Sequence, residues 1–234
     1  MERTDRPFFS RPKVKWLLLP LLLVVFAAAT LAGLSHLWTP TAEQQVAQLT
    51  NLLALEPGMT VAEIGAGQGQ MTVSMATYLG PQGHVFSTEI EPGKRKDIEE
   101  RVSGSGLSNV TVVEAAADST NLPPGCCDAI FMAKVYHHFK NPAEIGASLF
   151  EAIRPGGRLA VIDFSPVTWA PFPPRPGGVK EDRRGHGMPQ DVLIEELTAA
   201  GFHLGEVTDP WGGWPMKHYC VVFRRPAAPE QAKN

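Results

Sequence analysis

Residues 61–69 read Val-Ala-Glu-Ile-Gly-Ala-Gly-Gln-Gly, an apolar run that carries one acid and ends in three glycines on alternate positions. Glycine has no Cβ, so a loop of this kind lets a ligand approach the backbone more closely than any side chain would allow. The acid, Glu63, stands two residues before the first glycine and places a carboxylate beside the loop. The stretch predicts a buried strand that leads into a ligand-binding turn.

Apolar runs alternate with helical patterns over residues 41–225, which we interpret as one domain followed by a disordered tail over 226–234. This alternation predicts an α/β fold, a Rossmann-like doubly wound sheet whose ligands bind at the carboxyl ends of its strands. The strands are predicted at Thr60–Ile64, His84–Thr88, Val110–Glu114, Asp128–Ala133, Arg158–Asp163, His203–Val207 and His218–Phe223. The helices are predicted from Thr41 to Leu55 and at Gln70–Leu79, Gly93–Ser103, Pro142–Ile153 and Pro189–Ala200.

The spacing of the glycines indicates which of two kinds of cofactor the loop would bind. Enzymes that bind nicotinamide dinucleotides use Gly-X-Gly-X-X-Gly, so that a pyrophosphate rests at the N-terminus of the next helix. Gly65 and Gly67 fit that pattern, but residue 70 is Gln and the third glycine is Gly69. A carboxylate at Glu63 would repel a pyrophosphate and suits the ammonium and sulfonium of S-adenosylmethionine. A nicotinamide-dependent oxidoreductase remains an alternative, disfavoured by Gln70 and by the lack of a nearby Tyr-X-X-X-Lys pair.

Two further acids follow the second and third predicted strands. Glu89 comes 24 residues after Gly65, and its carboxylate can accept hydrogen bonds from both hydroxyls of a ribose. Asp118 can accept from the exocyclic amine of adenine, and its neighbour Ala117 leaves room for a flat ring. The structural alternatives are a solvated surface charge at Glu89 and an Asx turn at Asp118.

In this order, the motifs of residues 60–163 resemble the class I S-adenosylmethionine-dependent methyltransferases, and most closely their small-molecule branch, which includes the quinone-biosynthesis enzymes. Residues 127–132 resemble the family's fourth strand, and residues 154–159 its turn before the fifth. The resemblance implies a seven-stranded sheet with an antiparallel last strand, S-adenosyl-L-methionine as cofactor, and methyl transfer to a small molecule, in one reading a lipophilic one. The cofactor-binding residues that it implies are Glu63, Gly65, Ala66, Gly67, Gly69, Glu89, Ala117 and Asp118.

The residues that could act on a methyl acceptor follow the fourth and fifth strands. His137 and His138 are neighbours whose side chains diverge, and the resemblance favours His138 as the inward one. Asp163 ends the fifth strand, and His186 precedes the last helix, where relatives often present a histidine. A histidine there could orient or deprotonate an acceptor, and each of these residues also has a purely structural interpretation. We therefore predict His138, His186 and Asp163 as catalytic candidates, and no metal site.

One departure from the family pattern keeps a second class of function open. Lys134 stands where many relatives carry an acid or a small polar residue. The alternative is a non-catalytic or degenerate binding protein with a methyltransferase fold.

The N-terminal residues have a different character. A basic segment, 1–15, contains five Lys and Arg residues and precedes an apolar segment, 16–37, whose first 19 residues come close to the length that a membrane-spanning helix needs. We predict a retained single-pass anchor, with a cleaved signal peptide as the alternative, because Ala27-Ala28-Ala29 offers a cleavage pattern. The positive-inside rule places the domain outside the cytoplasm, away from the compartment where the cofactor is made, so the membrane face stays open.

Net charge narrows the choice of partner. Residues 39–234 carry a formal charge of −6, because the first 38 residues hold five of the 21 basic residues and only two of the 24 acidic ones. An acidic domain is a poor partner for nucleic acid, which favours a small-molecule substrate. The sequence leaves the oligomeric state undetermined.

Overall fold

The computed structural model describes residues 40–167, 186–212 and 217–228, together with Leu23, Val24, Phe26 and Thr30. The chain divides into two compact units, Met1–Thr39 and Pro40–Asn234. In the first unit the four described residues are helical. The basic segment 1–15, the rest of the predicted anchor and residues 229–234 lie outside the described residues. Within the part of the chain that is described, no helix combines the length and the apolarity that a membrane crossing requires.

The second unit alternates strands and helices as the sequence predicts. The first helix, α1, begins after Thr41, whose side chain accepts from the backbone N–H of Gln44 while the Gln44 side chain accepts from the N–H of Thr41. This capping box satisfies two N–H groups that the helix itself leaves unpaired. The strands are β1 Thr60–Ile64, β2 His84–Glu89, β3 Val110–Glu114, β4 Cys127–Ala133, β5 Ile153–Phe164, β6 His203–Gly212 and β7 His218–Arg224. The helices are α1 Ala42–Leu52, α2 Gln70–Leu79, α3 Pro92–Gly104, α4 Pro142–Ala152 and α5 Gln190–Ala199, and Tyr136–His138 forms a short 3-10 turn.

The seven strands form one sheet in the order β3-β2-β1-β4-β5-β7-β6. Strands β1 to β5 pair in parallel, and β7 runs antiparallel to both β5 and β6. The predicted seven-stranded α/β sheet with an antiparallel last strand is therefore confirmed. The strand order reverses between β1 and β4, and a crevice at the carboxyl ends of these strands is where such sheets bind ligands.

The central strands are apolar because the sheet is covered on both faces. Val61 and Ala62 of β1 are both fully buried although they point to opposite faces, and each belongs to a different apolar cluster. Strands buried on both sides read as continuous apolar runs rather than alternating ones. A polar side chain in such a strand, as Glu63 is, therefore enters the interior and needs a partner there.

Two strands extend several residues further than the sequence predicts, while β2, β4 and β7 are each longer by one residue. β5 begins at Ile153, which pairs with Cys127, and so includes the Arg154–Gly157 stretch that we expected to be a turn. The added Cβ of an alanine at Gly157 would lie 2.7 Å from the Asp128 carbonyl oxygen, so only glycine lets the backbones approach here. β6 continues to Gly212 instead of ending at Val207, with a register shift against β7 after Thr208.

Candidate active site

The glycine loop between β1 and α2 is held in a left-handed conformation. The φ angles of Gly65, Gly67 and Gly69 are 67°, 58° and 74°, values that other residues adopt only with strain. At Gly65 a Cβ would also meet the Val135 side chain at 2.7 Å, because the segment after β4 packs against the loop. The loop therefore requires glycine for its backbone conformation. At Gly65 it also needs glycine because the segment after β4 packs closely against it.

Glu89, at the end of β2, fastens the loop to the sheet. One of its carboxylate oxygens accepts from the Gly67 N–H at 2.9 Å. The other accepts from the N–H groups of Ile90 and Glu91 at 2.8 and 3.2 Å. The side chain is almost fully buried, yet it borders the cavity described below, so its free lone pairs can accept hydrogen bonds from a ligand.

We expect Glu89→Gln to lower the free energy of unfolding by about 1–3 kcal/mol, because an amide NH₂ would then face backbone N–H donors. Urea unfolding at neutral pH measures the change. Glu91→Gln is the matched control: Glu91 is exposed and pairs only with Lys94 at the surface, so its effect should stay below about 1 kcal/mol. Equal effects of the two variants would contradict the anchoring role of Glu89.

A cavity of about 590 Å³ opens beside the loop, at the carboxyl ends of β1 to β4. Its volume lies in the range of small-molecule sites. Its walls include Gly65, Gly67 and Glu89 on one side, Ala116, Ala117 and Ser119 after β3, and Lys134, Val135, His138 and Phe139 after β4. Of the predicted cofactor-binding residues, Gly65, Gly67, Glu89 and Ala117 border this cavity, whereas Glu63, Ala66, Gly69 and Asp118 do not.

Glu63 lies behind the loop. Its carboxyl group is buried and accepts a hydrogen bond of 2.5 Å from the Thr72 hydroxyl, which also contacts the Ser87 hydroxyl at 2.8 Å. Burial, with a contribution from the nearby Glu89 charge, raises the pKa of Glu63 to about 8, although the Thr72 hydrogen bond opposes the shift. Glu63 does not border the cavity, so its contact with a cofactor stays a prediction.

Asp118 is placed differently from the contact that the sequence predicts. Its side chain is exposed, and its neighbours Ala117 and Ser119 border the cavity instead. The turn around it is closed by a hydrogen bond from the Ala116 N–H to the Ser119 carbonyl at 2.9 Å. The adenine contact of Asp118 stays a prediction.

Lys134 follows β4 in a conformation that is rare for its residue type. Its φ angle is +59°, which costs a non-glycine residue on the order of 1–3 kcal/mol. The Lys134 N–H donates to the Ile162 carbonyl at 2.7 Å, so the pairing of β4 with β5 imposes this conformation. The result is an exposed cationic side chain on the wall of the cavity, where the family pattern has an acid or a small residue.

The three predicted catalytic residues lie in one cluster, but only His138 borders the cavity. The His138 side chain is partly exposed to solvent. The burial of the rest of the ring, together with the charges of His137 and His186, lowers its pKa to about 4. His186 is half-buried and stacks on Phe164 with ring centroids 5.6 Å apart. Backbone hydrogen bonds between His186 and Val167 hold it there.

Asp163 is completely buried. Its hydrogen-bond partner is His137, which is not among the predicted catalytic residues. The His137 Nδ1–H donates to Asp163 Oδ1 at 2.8 Å. The His137 backbone N–H donates to Oδ2 at 3.2 Å. The signal in the sequence is Asp163 itself: β4 and β5 are neighbouring parallel strands, so an acid that ends β5 faces the turn after β4.

The glycine loop, the acid after β2 and the strand order point to one family of enzymes. Residues 62–161 match the family model described as "Methyltransferase domain". The match covers 100 of the chain's 234 residues, and this part of the chain is similar to methyltransferase domains.

Individual proteins are similar to this chain in sequence or in fold. A ubiquinone/menaquinone biosynthesis C-methyltransferase from Vibrio vulnificus is 28% identical over 117 residues, which are 50% of this chain and 45% of that protein. The structure of a SAM dependent methyltransferase from Aquifex aeolicus is similar with a TM-score of 0.63 and 24% identity, covering 76% of this chain and 87% of the other. The structure of the [4+2]-cyclase SpnF is similar with a TM-score of 0.63 and 18% identity, covering 79% and 83%.

These comparisons have a defined reach. The chain spans about half the length of the curated relatives that it matches. Structural similarity at 24% and 18% identity shows the fold alone, and one of these folds belongs to a cyclase. The fold is therefore compatible with more than one reaction.

Proposed function

We propose that this protein transfers a methyl group from S-adenosyl-L-methionine to a small molecule. The observation that carries the proposal is the cavity at the glycine loop, where Gly65, Gly67 and the Glu89 carboxylate face one space. Neither glycine presents a side chain, and Glu89 keeps lone pairs free while it holds the loop. The cofactor, when bound, supplies an activated methyl group on a sulfonium.

The donors and acceptors around the cavity fit the polar parts of that cofactor. Glu89 borders the cavity and would accept hydrogen bonds from the ribose hydroxyls, and the small side chains of Ala116 and Ala117 would leave room for a flat ring. The buried Glu63 carboxyl group is hydrogen-bonded to Thr72, and it would favour a cationic ligand through its charge when ionised. The protein's task in such a reaction is to orient the acceptor and exclude water, because the methyl group arrives already activated.

Isothermal titration calorimetry of the full chain with S-adenosyl-L-methionine tests cofactor binding, with NAD as the competing ligand. We expect saturable binding of S-adenosyl-L-methionine and of its demethylated product, and no heat with NAD. The proposal would be contradicted if the protein is folded by circular dichroism and binds neither S-adenosyl-L-methionine nor its demethylated product.

We further propose an acceptor of lipophilic character and attachment to a membrane through residues 16–37. The support is the apolar sequence of that segment and the apolar part of the cavity wall, which includes Ile90, Val135 and Phe139. Transfer of a radiolabelled methyl group into a lipid extract tests the acceptor, and an aqueous extract serves as the comparison. A C-terminal fusion to a reporter that fluoresces only in the cytoplasm tests the membrane face.

A further inference from the structure

Three lysines border the cavity at the glycine loop. Lys94 lies on α3, Lys134 follows β4, and Lys140 lies shortly before α4. The two glutamates on the same wall already have partners, because Glu89 accepts from three backbone N–H groups and Glu91 pairs with Lys94. Neither Lys134 nor Lys140 forms an ion pair with any residue that the structure describes. Two ammonium groups on the wall are therefore available to a ligand.

The charge of this wall is opposite to that of the domain as a whole. Residues 39–234 carry a formal charge of −6, whereas the cavity is bordered by three lysines and two glutamates. A cleft lined by one sign of charge raises the local concentration of ligands of the other sign. S-adenosyl-L-methionine does not neutralise the wall, because it brings a sulfonium and an ammonium with only one carboxylate. The electrostatics therefore favour a second ligand that is negatively charged.

The backbone fixes where the Lys134 side chain begins. The pairing of β4 with β5 holds its φ angle at +59°, through the hydrogen bond from the Lys134 N–H to the Ile162 carbonyl. Glycine and asparagine adopt this conformation more readily than lysine does. The next residue, Val135, packs against Gly65, so Lys134 begins beside the glycine loop. Strained residues cluster at functional sites, which favours a role for the Lys134 ammonium in ligand binding.

Lys94 reaches the same space from a different element. Its positive charge helps to lower the pKa of His138, so the ammonium lies near enough to the His138 ring for the two groups to interact. The hydrogen bond to Glu91 raises the pKa of Lys94, which keeps its side chain cationic at neutral pH. The His138 ring is neutral at that pH, since its pKa is about 4. It can therefore donate a hydrogen bond to an anion without adding a charge of its own.

Much of the remaining wall is apolar. Ile90, Val135 and Phe139 border the cavity together with the lysines. Ile90 is 49% exposed, which is a large fraction for an apolar side chain at a binding site. The apolar part of a ligand would remove this surface from water and gain free energy by doing so. Lysines beside an apolar wall fit a molecule that has an acidic group and an apolar remainder.

We propose that the methyl acceptor is an anionic amphiphile, whose carboxylate or phosphate binds Lys134 and Lys94 while its apolar part lies against Ile90 and Phe139. This inference rests on the proposed methyl transfer. Lys134 is then a residue that determines specificity. An acid at this position, as many similar methyltransferases carry, would repel such an acceptor.

Methyl transfer into separated extract fractions tests the charge of the acceptor. A cell extract is separated on an anion exchanger, and each fraction is incubated with the full chain and radiolabelled S-adenosyl-L-methionine. We expect labelled product from the retained, anionic fraction, and stepwise elution then distinguishes carboxylates from phosphate esters. Label only from the unretained fraction, which holds neutral and cationic molecules, would overturn the proposal. Absence of label from every fraction would instead refute the proposed function, so the two failures are distinguishable.

Lys134→Met tests the contact itself, because Met keeps an unbranched apolar side chain without the charge and meets the same backbone strain. Charge-assisted hydrogen bonds are strong enough that the concentration of the anionic fraction giving half-maximal transfer should rise about tenfold. The maximal rate should stay within about 3-fold, and Lys134→Arg, which keeps the charge, should recover most of the loss. Lys96→Met is the matched control, because Lys96 is an exposed residue of α3 that pairs with Glu100 and does not border the cavity.

Calorimetry with S-adenosyl-L-methionine separates the acceptor from the cofactor's own carboxylate. We expect the affinity of Lys134→Met for the cofactor to stay within about 3-fold of wild type, since the lysine contacts the acceptor. A loss of cofactor affinity with no change in the half-maximal concentration of the anionic fraction would assign Lys134 to the cofactor and overturn the proposal. The same holds if Lys134→Met and Lys96→Met need equal concentrations of that fraction.

Discussion

Replacing Glu63 with Gln should remove most of the dependence of stability on pH between about 4.5 and 8. The folded protein keeps the carboxyl group protonated up to its raised pKa of about 8, whereas the unfolded chain releases that proton near 4.5. Between these values the folded state binds more protons, so the free energy of unfolding falls as pH rises. The limiting slope is about 1.4 kcal/mol per pH unit. Gln retains an acceptor for Thr72 without the charge, so E63Q should be more stable than wild type at pH 8 by an amount on the order of 4 kcal/mol.

Urea unfolding at pH 5, 6.5, 8 and 9 measures the effect, and the two proteins should converge at the lowest pH. Glu99→Gln is the matched control, because Glu99 is an exposed side chain on α3 and its loss should leave the slope unchanged. Parallel pH profiles for wild type and E63Q would show that the buried carboxyl group does not titrate in this range.

The same substitution should weaken cofactor binding while it stabilises the fold. A cationic ligand above the loop favours the ionised form of Glu63, which the free protein holds protonated at neutral pH. Binding of S-adenosyl-L-methionine should then release a proton, and its affinity should rise with pH up to about 8. A buried carboxyl group whose ionisation lowers the stability of the fold and raises the affinity for a ligand exchanges stability for function.

The course of the chain could be predicted from sequence where apolar runs end at glycine or proline. The predicted bounds of β1, α2 and β3 coincide with the observed ones. The prediction was wrong where such residues lie inside a strand. The Arg154–Gly157 stretch lies within β5, between the residues that pair with Cys127 and Ala129 of β4. Gly157 lets its backbone approach the Asp128 carbonyl oxygen closely, and this is a tertiary contact that local sequence does not show.

The site could be predicted less completely than the fold. The glycines of the loop could be predicted from the sequence because the loop's conformation depends on residue type, as it does at Gly65 and Gly67. The directions in which side chains point could not be predicted, because they depend on packing between distant segments. Glu63 turns toward Thr72 behind the loop, and His137 rather than His138 turns toward Asp163. Both cases required knowledge of which strands are neighbours.

Gly67→Ala should abolish most cofactor binding with only a small effect on folding. No protein atom lies within 4 Å of the position that its Cβ would take, so the methyl group costs no clash within the protein. The left-handed φ of 58° costs an alanine about 1–2 kcal/mol. The cavity, however, borders this residue, and a methyl group there occupies the space that a bound ligand needs for close contact with the backbone.

Gly106→Ala separates the strain of the backbone from the blocking of the site. Its φ is 67°, its Cβ would also meet no atom within 4 Å, and it does not border the cavity. Both variants should therefore show a similar loss of stability in thermal unfolding, within about 1 kcal/mol of each other. Only Gly67→Ala should lose cofactor affinity, by about tenfold or more, in calorimetry with S-adenosyl-L-methionine. Equal affinities in the two variants would mean that the cofactor binds away from the glycine loop, because the loop would then tolerate a side chain at its centre.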